Sequence, residues 1–398
     1  MPLTFRNPLT LGLAPDVVED AWLSLVTAGE RHEFGGAVAL VGVGDEVVLY
    51  RATGWAVREP EDQRSPMGVD SIFDLASLTK VTATTPVILQ LVAEGKIGLD
   101  QPVGEILPEF GTEGLKAGVT IRRLLTHSAG FRDWIPAFVK GVGEDFYLAE
   151  FARTQPEWEP GTRVLYSDPS FITLGAVVHR VTGETVDQLA ACTVFAPLGM
   201  VDTMFTPPRG LRGRIVGTEV GNWLEVSKIP GQEPVNGGWR EGLIRGDVHD
   251  GNAWYGFGGV AGHAGLFGTA HDLFRYGRMW LQGGELDGVR VLPEDLVAEA
   301  ITNQTPFGDP SDVRGFGWRL LPPAGTPEEN PDSGRGMGRR AFGHTGFTGV
   351  SLWMDPDLDL TVVLLTNRVH PIVTNTYLET RARFNAAIVS AMPVTGVS

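Results

Sequence analysis

The sequence predicts a mixed α/β (α+β) fold, with a mainly antiparallel sheet flanked by helices and interrupted by an α-rich insertion. Two observations carry this expectation. Strand-length apolar runs cluster near both ends of the 398 residues, while the middle reads as short helices and loops. Sheet-forming pieces at both ends imply one α/β body, residues 15–80 and 250–398, with 81–249 as an α-rich insertion. A hydrophobic share of 42% is ample for its core.

The elements follow in order. Residues 15–31 place Ala21, Trp22, Leu25 and Val26 on one face of an amphipathic helix. "GGAVALVGVGDEVVLYRATGWA" (35–56) is two β-rich runs around Gly44-Asp45, which signals a hairpin. A helix starts near Ser77 and runs to about Glu94, with Gly95 where a C-terminal cap belongs. Pro86 inside it points to a kink, or to a boundary near Thr85. Thr120 is a plausible N-cap for the segment "VTIRRLLTHSAGF". Further helices are "PSFITLGAVVHRVTG", ended by Gly183, then "TVDQLAACTVFAPLGM", then residues 269–284. The C-terminal part turns to strands, "GFGWRLL", "AFGHTG", "GVSLWMDP" and "LDLTVVLLTN", and closes with the helix "TNTYLETRARFNAAIVSAM". Residues 322–340, rich in Pro, Gly and charge, read as a mobile loop.

Composition excludes several function classes. A net charge of −16, with no block of Lys or Arg, argues against nucleic acid or an anionic membrane surface as partner. No run of 18 apolar residues exists, so no membrane span is expected. The N-terminus lacks the basic-then-apolar pattern of a secretory signal, which makes a cytoplasmic protein the expectation. Cys192, the single cysteine, sits in an apolar helical run and is expected to be a small buried hydrophobe. Oligomeric state leaves no mark in the sequence.

"DLASLTKVTATTP" (74–86) holds the one Ser-x-x-Lys in the chain, Ser77 and Lys80. With 13 serines and five lysines, chance predicts roughly 0.16 such pairs. At a helix start, three residues place Lys80 on the face of Ser77, one turn on. A serine hydroxyl needs a neighbour to take its proton, and an amine serves once its pKa falls. The free backbone N–H at a helix start can also bind an oxyanion. Taken alone, the pair has a simpler explanation, in which Ser77 caps the helix and Lys80 is solvated.

Two further segments alter that balance: "LYSDPSF", with Tyr166-Ser167-Asp168, and "AFGHTGFTG", with His344-Thr345-Gly346. With "LLTHSAGF", "FAPLGMVDTMF", "GGVAGHAGLFGTAHDLFRYG" and "TGFTGVSLWMDPDLDLTVVLLTN", the chain resembles the serine β-lactamase-like hydrolases from about residue 15 to 390. That family comprises class C β-lactamases, DD-peptidases and other penicillin-binding proteins, esterases, and D-amino-acid amidases and peptidases. Its motifs Ser-x-x-Lys, Tyr-x-Asn and Lys-Thr-Gly come in the same order. The resemblance implies a β-lactamase/transpeptidase-like fold and an acyl-enzyme. Ser77 is then the acylated nucleophile, Lys80 its proton acceptor or electrostatic partner, and Tyr166 the second acid/base group. His344, Thr345 and Gly346 line the site edge, and the N–H of Phe347 joins that of Ser77 in the oxyanion hole. A tyrosine beside Lys⁺ is expected to have a depressed pKa.

The departures bear on substrate. Asp168 stands where class C β-lactamases have Asn; ionised, it only accepts hydrogen bonds, and it holds Lys80 charged. That would shift more of the base role to Tyr166. His344 stands where the motif has Lys and is expected to grip a substrate carboxylate weakly and pH-dependently. Both argue against efficient β-lactam hydrolysis and for a carboxylesterase or an amidase/peptidase. The alternatives are a true class C-type β-lactamase, a DD-carboxypeptidase, or a non-catalytic penicillin-binding sensor. The expected partner is a small ester, amide, peptide or β-lactam, with no cofactor.

Asp247, His249, Asp250 and His263 match no metal-ligand spacing, so no metal is expected, and this stretch reads as a loop at the site rim or a polar scaffold. His127 is expected to be structural. Phe131, Arg132 and Trp134, just after it, are candidates to line the cleft.

Overall fold

The computed structural model describes residues 3–322 and 336–393. Its frame is an eight-stranded sheet drawn from both ends of the chain. The strands run in the order Thr4–Phe5, Glu46–Val57, Gly36–Val43, Leu360–Thr366, Val350–Asp355, Phe342–Gly346 and Arg319–Leu320, with Ser65–Pro66 paired to Glu46–Val57. Every pairing in it is antiparallel except that of Thr4–Phe5. The hairpin turns at Gly44, whose φ of 57° suits a residue without a Cβ.

Apolar runs without polar alternation mean that both sheet faces are covered. In the Gly36–Val43 strand, Ala37, Ala39 and Val41 pack with Trp22, Leu25, Phe384 and Ile388, from helices Pro15–Glu30 and Tyr377–Ala391. Val38 and Leu40 face the other way, against Phe274 and Leu273 of helix Ala270–Leu281. Leu360–Thr366 divides in the same period of two. Each fully buried aliphatic side chain contributes roughly 1.5–3 kcal/mol.

The segment after Ser77 is helical but not uniform. Lys80–Thr84 forms a π-type turn, and an α-helix follows over Thr85–Ala93. The change falls at Pro86, which cannot donate to an α-helical ladder. Gly95 ends the element at φ 68°. Residues 103–228 supply short helices, including Ile121–Leu125, capped by the Thr120 hydroxyl, and Asp168–Thr182, ended by Gly183.

Two expectations are corrected. Cys192 is exposed, because Ala190, Val194 and Phe195 take the inward positions of its helical turn. "GFGWRLL" pairs as a strand only at Arg319–Leu320. Upstream, the Phe316 and Gly317 N–H groups donate to Ala300 and Leu125 carbonyls rather than to a neighbouring strand. Of the loop expected at 322–340, residues 323–335 lie outside the described residues. No described helix is long and apolar enough to cross a membrane.

Candidate active site

Ser77 sits on a tight turn between strand Phe73–Asp74 and its helix. Ala76, just before it, has φ 44°, a left-handed conformation unfavourable for a residue with a Cβ. Buried Asp74 holds the turn: Oδ1 accepts from Ala76 N–H at 2.8 Å and Oδ2 from His249 N–H at 2.7 Å. The Phe342–Gly346 strand comes up against this turn. A Cβ on Gly346 would lie 2.6 Å from the Leu75 carbonyl oxygen and 2.5 Å from Val350 Cγ2, so only glycine permits the approach.

Lys80 is fully buried behind the serine. Its ammonium donates to Ser77 Oγ at 3.1 Å and to the His263 carbonyl at 3.0 Å, and pairs with Asp168 Oδ1 at 2.8 Å. Burial alone would lower its pKa, but Asp168 and Tyr166 outweigh burial and the net direction is upward. Lys80 is therefore held as the cation, as the acid at 168 led one to expect.

Asp168 opens helix Asp168–Thr182, whose N-cap Ser167 accepts from Ser170 N–H at 3.3 Å. The same helix start fixes Tyr166. His127 takes the Ser167 N–H on Nδ1 at 3.0 Å and lays its ring against Tyr166 at 4.6 Å. His127 is buried, and burial, then Arg314 and Lys80, push its pKa well down. The Tyr166 ring also meets the Lys80 ammonium at 4.9 Å and the Arg314 guanidinium at 5.5 Å. The expected depression of the tyrosine's pKa does not occur. Burial raises it, Lys80 lowers it, Asp168 raises it again, and the balance is upward.

His344 departs from expectation in the same way. Its Nδ1–H donates to the Thr345 carbonyl at 2.8 Å, and the side chain is buried. Burial, then Arg314 and Lys80, push its pKa well below the ordinary histidine value. It is a neutral imidazole throughout the physiological range, not a pH-dependent cation. Besides Lys80, the cations acting on it are Arg314 and Arg319, which motif reading did not single out.

One cleft of about 500 Å³ gathers Ser77, Trp134, Tyr166, Asp168, His344, Thr345, Gly346 and Phe347. Lys80 lies just behind it. Neither Ser77 N–H nor Phe347 N–H donates to a backbone carbonyl among the described residues, so both remain available to an oxyanion. Of the three candidates after His127, only Trp134 reaches the cleft: Phe131 packs edge-on to Phe110 in the core, and Arg132 pairs with Glu157 outside.

The 247–263 stretch supplies both rim and scaffold. His249, Asp250 and His263 line the cleft, while Asp247 is exposed away from it. His263 Nε2 meets Asp250 Oδ1 at 2.9 Å, and His249 Nε2 meets Glu219 Oε2 at 3.0 Å. Side-chain atoms of Asp168, Asp250 and His263 come within 4.8 Å of one another, a spacing a cation could bridge. Asp168 already holds Lys80, and Asp250 already holds His263. Residues that motif reading passed over include Glu225, Lys228, Arg314, Arg319 and Arg368, all at the cleft. They come from three separate stretches of the chain and belong to no motif; the one available signal was the scarcity of lysine.

This fold, with a serine–lysine–tyrosine cluster at the edge of its sheet, is that of serine hydrolases working through an acyl-enzyme. A family model described as Beta-lactamase matches residues 24–387, and the chain belongs to that family. An Escherichia coli protein provisionally named D-alanyl-D-alanine carboxypeptidase is 30% identical over 366 residues, 85% of this chain and 80% of its own. The solved hydrolase EstCE1, described as having promiscuous acyltransferase activity, superposes with TM-score 0.70 at 22% identity, over 95% of this chain and 98% of its own. A class C β-lactamase from Rhodobacter sphaeroides gives TM-score 0.67 at 20% identity, over 94% and 99%. At such identities these two structures speak for the fold.

Proposed function

We propose that the protein is a carboxylesterase or amidase/peptidase that forms an acyl-enzyme on Ser77 and handles β-lactams poorly. The observation that carries this is the placement of Lys80 between Ser77 Oγ and the Asp168 carboxylate. In the proposed acylation, Ser77 Oγ attacks the carbonyl carbon while its proton passes to Lys80, which hands one of its own to Asp168. The Ser77 and Phe347 N–H groups take the oxyanion. Tyr166, a neutral phenol, gives its proton to the leaving group and is reprotonated from Lys80. Water then attacks the acyl carbon by the reverse proton path. Asp168, a carboxylate paired with Lys80 where an amide would carry N–H groups, offers no amide donor to an acylamino carbonyl, which supports an ester or simple amide over a β-lactam. The division into an α/β body (15–80, 250–398) and a helical insertion (81–249) belongs to this proposal, with the cleft between them.

A second possibility, DD-carboxypeptidase action on a peptide, is favoured by the name carried by the Escherichia coli relative. The test is a fluorophosphonate or penicillin probe read by intact mass, followed by nitrocefin, p-nitrophenyl esters and D-amino-acid amides or peptides. An adduct on the wild type that disappears in Ser77→Ala, with nitrocefin the poorest substrate, is the expected result. An adduct that survives Ser77→Ala, or nitrocefin turning over fastest, would refute the proposal.

A further inference from the structure

The two proposed oxyanion donors stand on different elements. Ser77 N–H belongs to the turn after strand Phe73–Asp74, and Phe347 N–H to the hairpin turn after strand Phe342–Gly346. That hairpin turn, residues 346–349, is closed by the Gly349 N–H on the Gly346 carbonyl at 3.0 Å. Loop tips are where backbone mobility concentrates. An oxyanion hole works only if its donors are already in place, because moving them during the reaction would cost what they contribute. The two turns therefore need a brace between them.

Buried Asp74 reaches both. Its Oδ1 holds the N–H of Ala76, the residue before Ser77. Its backbone carbonyl accepts from Oγ1 of Thr348, the residue after Phe347, at 2.7 Å. Its Oδ2 holds the His249 N–H, and the His249 ring stacks on that of Phe347, 5.8 Å between centres and 20° between planes. Each of these ties ends beside one donor or the other. Thr348 is itself buried, so water does not compete for its hydroxyl.

The residue type at 74 fits this work. A buried carboxyl costs free energy unless it is hydrogen-bonded. Here each of its oxygens accepts from a backbone N–H, so what it fixes is the course of the chain. An asparagine could serve only one of those two N–H groups, because its terminal nitrogen donates. The Phe347 carbonyl is held separately, by Arg368 Nε at 2.7 Å. Loss of the Thr348 tie would thus re-aim the Phe347 N–H without releasing the whole turn.

We infer that Asp74 and Thr348 are positioning residues of the oxyanion hole, which together set the separation and aim of the Ser77 and Phe347 N–H groups. This rests on the proposal that those two groups receive the oxyanion of acyl transfer at Ser77. Neither residue lines the cleft, so each acts through its neighbour in the chain.

Thr348→Val keeps the side-chain shape and removes the hydroxyl, while Thr348→Ser keeps the hydroxyl. Turnover of p-nitrophenyl butyrate is referred to sites titrated with the fluorophosphonate probe, so that unfolded protein does not count. Acylation and deacylation both pass through the oxyanion. In Thr348→Val, kcat should therefore fall about tenfold with KM nearly unchanged, the worth of one hydrogen bond. Trifluoroacetophenone, whose adduct on Ser77 carries an oxyanion, should bind about tenfold more weakly. Thr348→Ser should return both quantities towards the wild type. Asp74→Asn, which disturbs both donors, should lower kcat about 10²-fold; should it fail to fold, the two Thr348 variants decide. Wild-type kcat and ketone affinity in Thr348→Val, a loss carried by KM alone, or equal losses in Thr348→Val and Thr348→Ser would overturn the inference. Failure of the acyl-enzyme proposal is read separately, from the missing adduct on the wild type.

Discussion

The Lys80 ammonium and the Asp168 carboxylate form an ion pair at 2.8 Å, with the lysine end wholly buried. Removing one partner of such a pair leaves a charge without compensation. Asp168→Asn should therefore cost roughly 3–5 kcal/mol near pH 6. In the wild type the Lys80 pKa is raised above its unfolded value, so its stabilising effect is present below the unfolded pKa and lost only as pH rises through the folded one. In Asp168→Asn burial prevails, the folded pKa falls below the unfolded value, and the unfolded state binds more protons. Measured against the wild type at each pH, the variant's Tm should recover between pH 6 and 9. In the proposed relay the wild type needs Asp168 free to take a proton, whereas the variant has no acceptor behind Lys80 and needs its neutral amine, so the acid limb of the variant's kcat/KM profile should move to higher pH; an unmoved limb would exclude Lys80 as the proton acceptor.

Tyr166 is kept as a neutral phenol by burial and Asp168, against the pull of Lys80. Its proposed work is therefore donation to the leaving group. Tyr166→Phe should lower kcat on alkyl amides by about 10²–10⁴-fold. p-Nitrophenyl esters, whose leaving group departs without a proton, should lose much less. Equal losses on both would contradict the donor role.

His344 is a buried neutral imidazole beside Arg314. Its ring resonances should show no titration between pH 5 and 8 by NMR. Restoring the family's lysine with His344→Lys would bury a cation next to others, costing roughly 3 kcal/mol of stability. Nitrocefin turnover should not improve. A stable variant with gained β-lactamase activity would refute this account.

Glu225 holds its proton up to about pH 7, because burial and then Asp250 raise its pKa from that of an ordinary carboxyl. His249 is raised as well: burial would lower its pKa, but the hydrogen bond and charge of Glu219 prevail. Both groups bind protons more tightly in the folded state. The stability each contributes is present below its unfolded pKa and lost as pH rises through its folded one. Thermal stability should fall from pH 5 to pH 8. Glu225→Gln, which keeps an acceptor for the Gly251 N–H, should flatten that fall and melt higher than the wild type at pH 8.

Some of this was legible in the chain and some was not. The sheet strands could be read because apolar runs such as "LDLTVVLLTN" leave no polar face, and the two cores divide them by the parity of position. The helix break at Pro86 was legible because a missing N–H acts locally. Cys192 was misplaced, since its apolar neighbours do not reveal which face of a short helical turn is buried. The roles expected of Tyr166 and His344 were drawn from residue type, and their charge states came out otherwise. A pKa depends on burial and on charges remote in sequence: Arg314 and Lys80 act on His344, and Asp168 acts on Lys80.

By itself, then, the sequence determined the order of elements and the three short motifs, because hydrophobic period, turn residues and spacing act within a few residues. It also determined that Ser77 and Lys80 share a helix face, through the three-residue step. Only the tertiary structure decided which protons reside where, and which cations gather at the cleft. Lys228, Phe347 and Arg368 are separated by long stretches of chain and meet around one aromatic ring. Electrostatic energy depends on distance and desolvation in space, and neither is written in residue order.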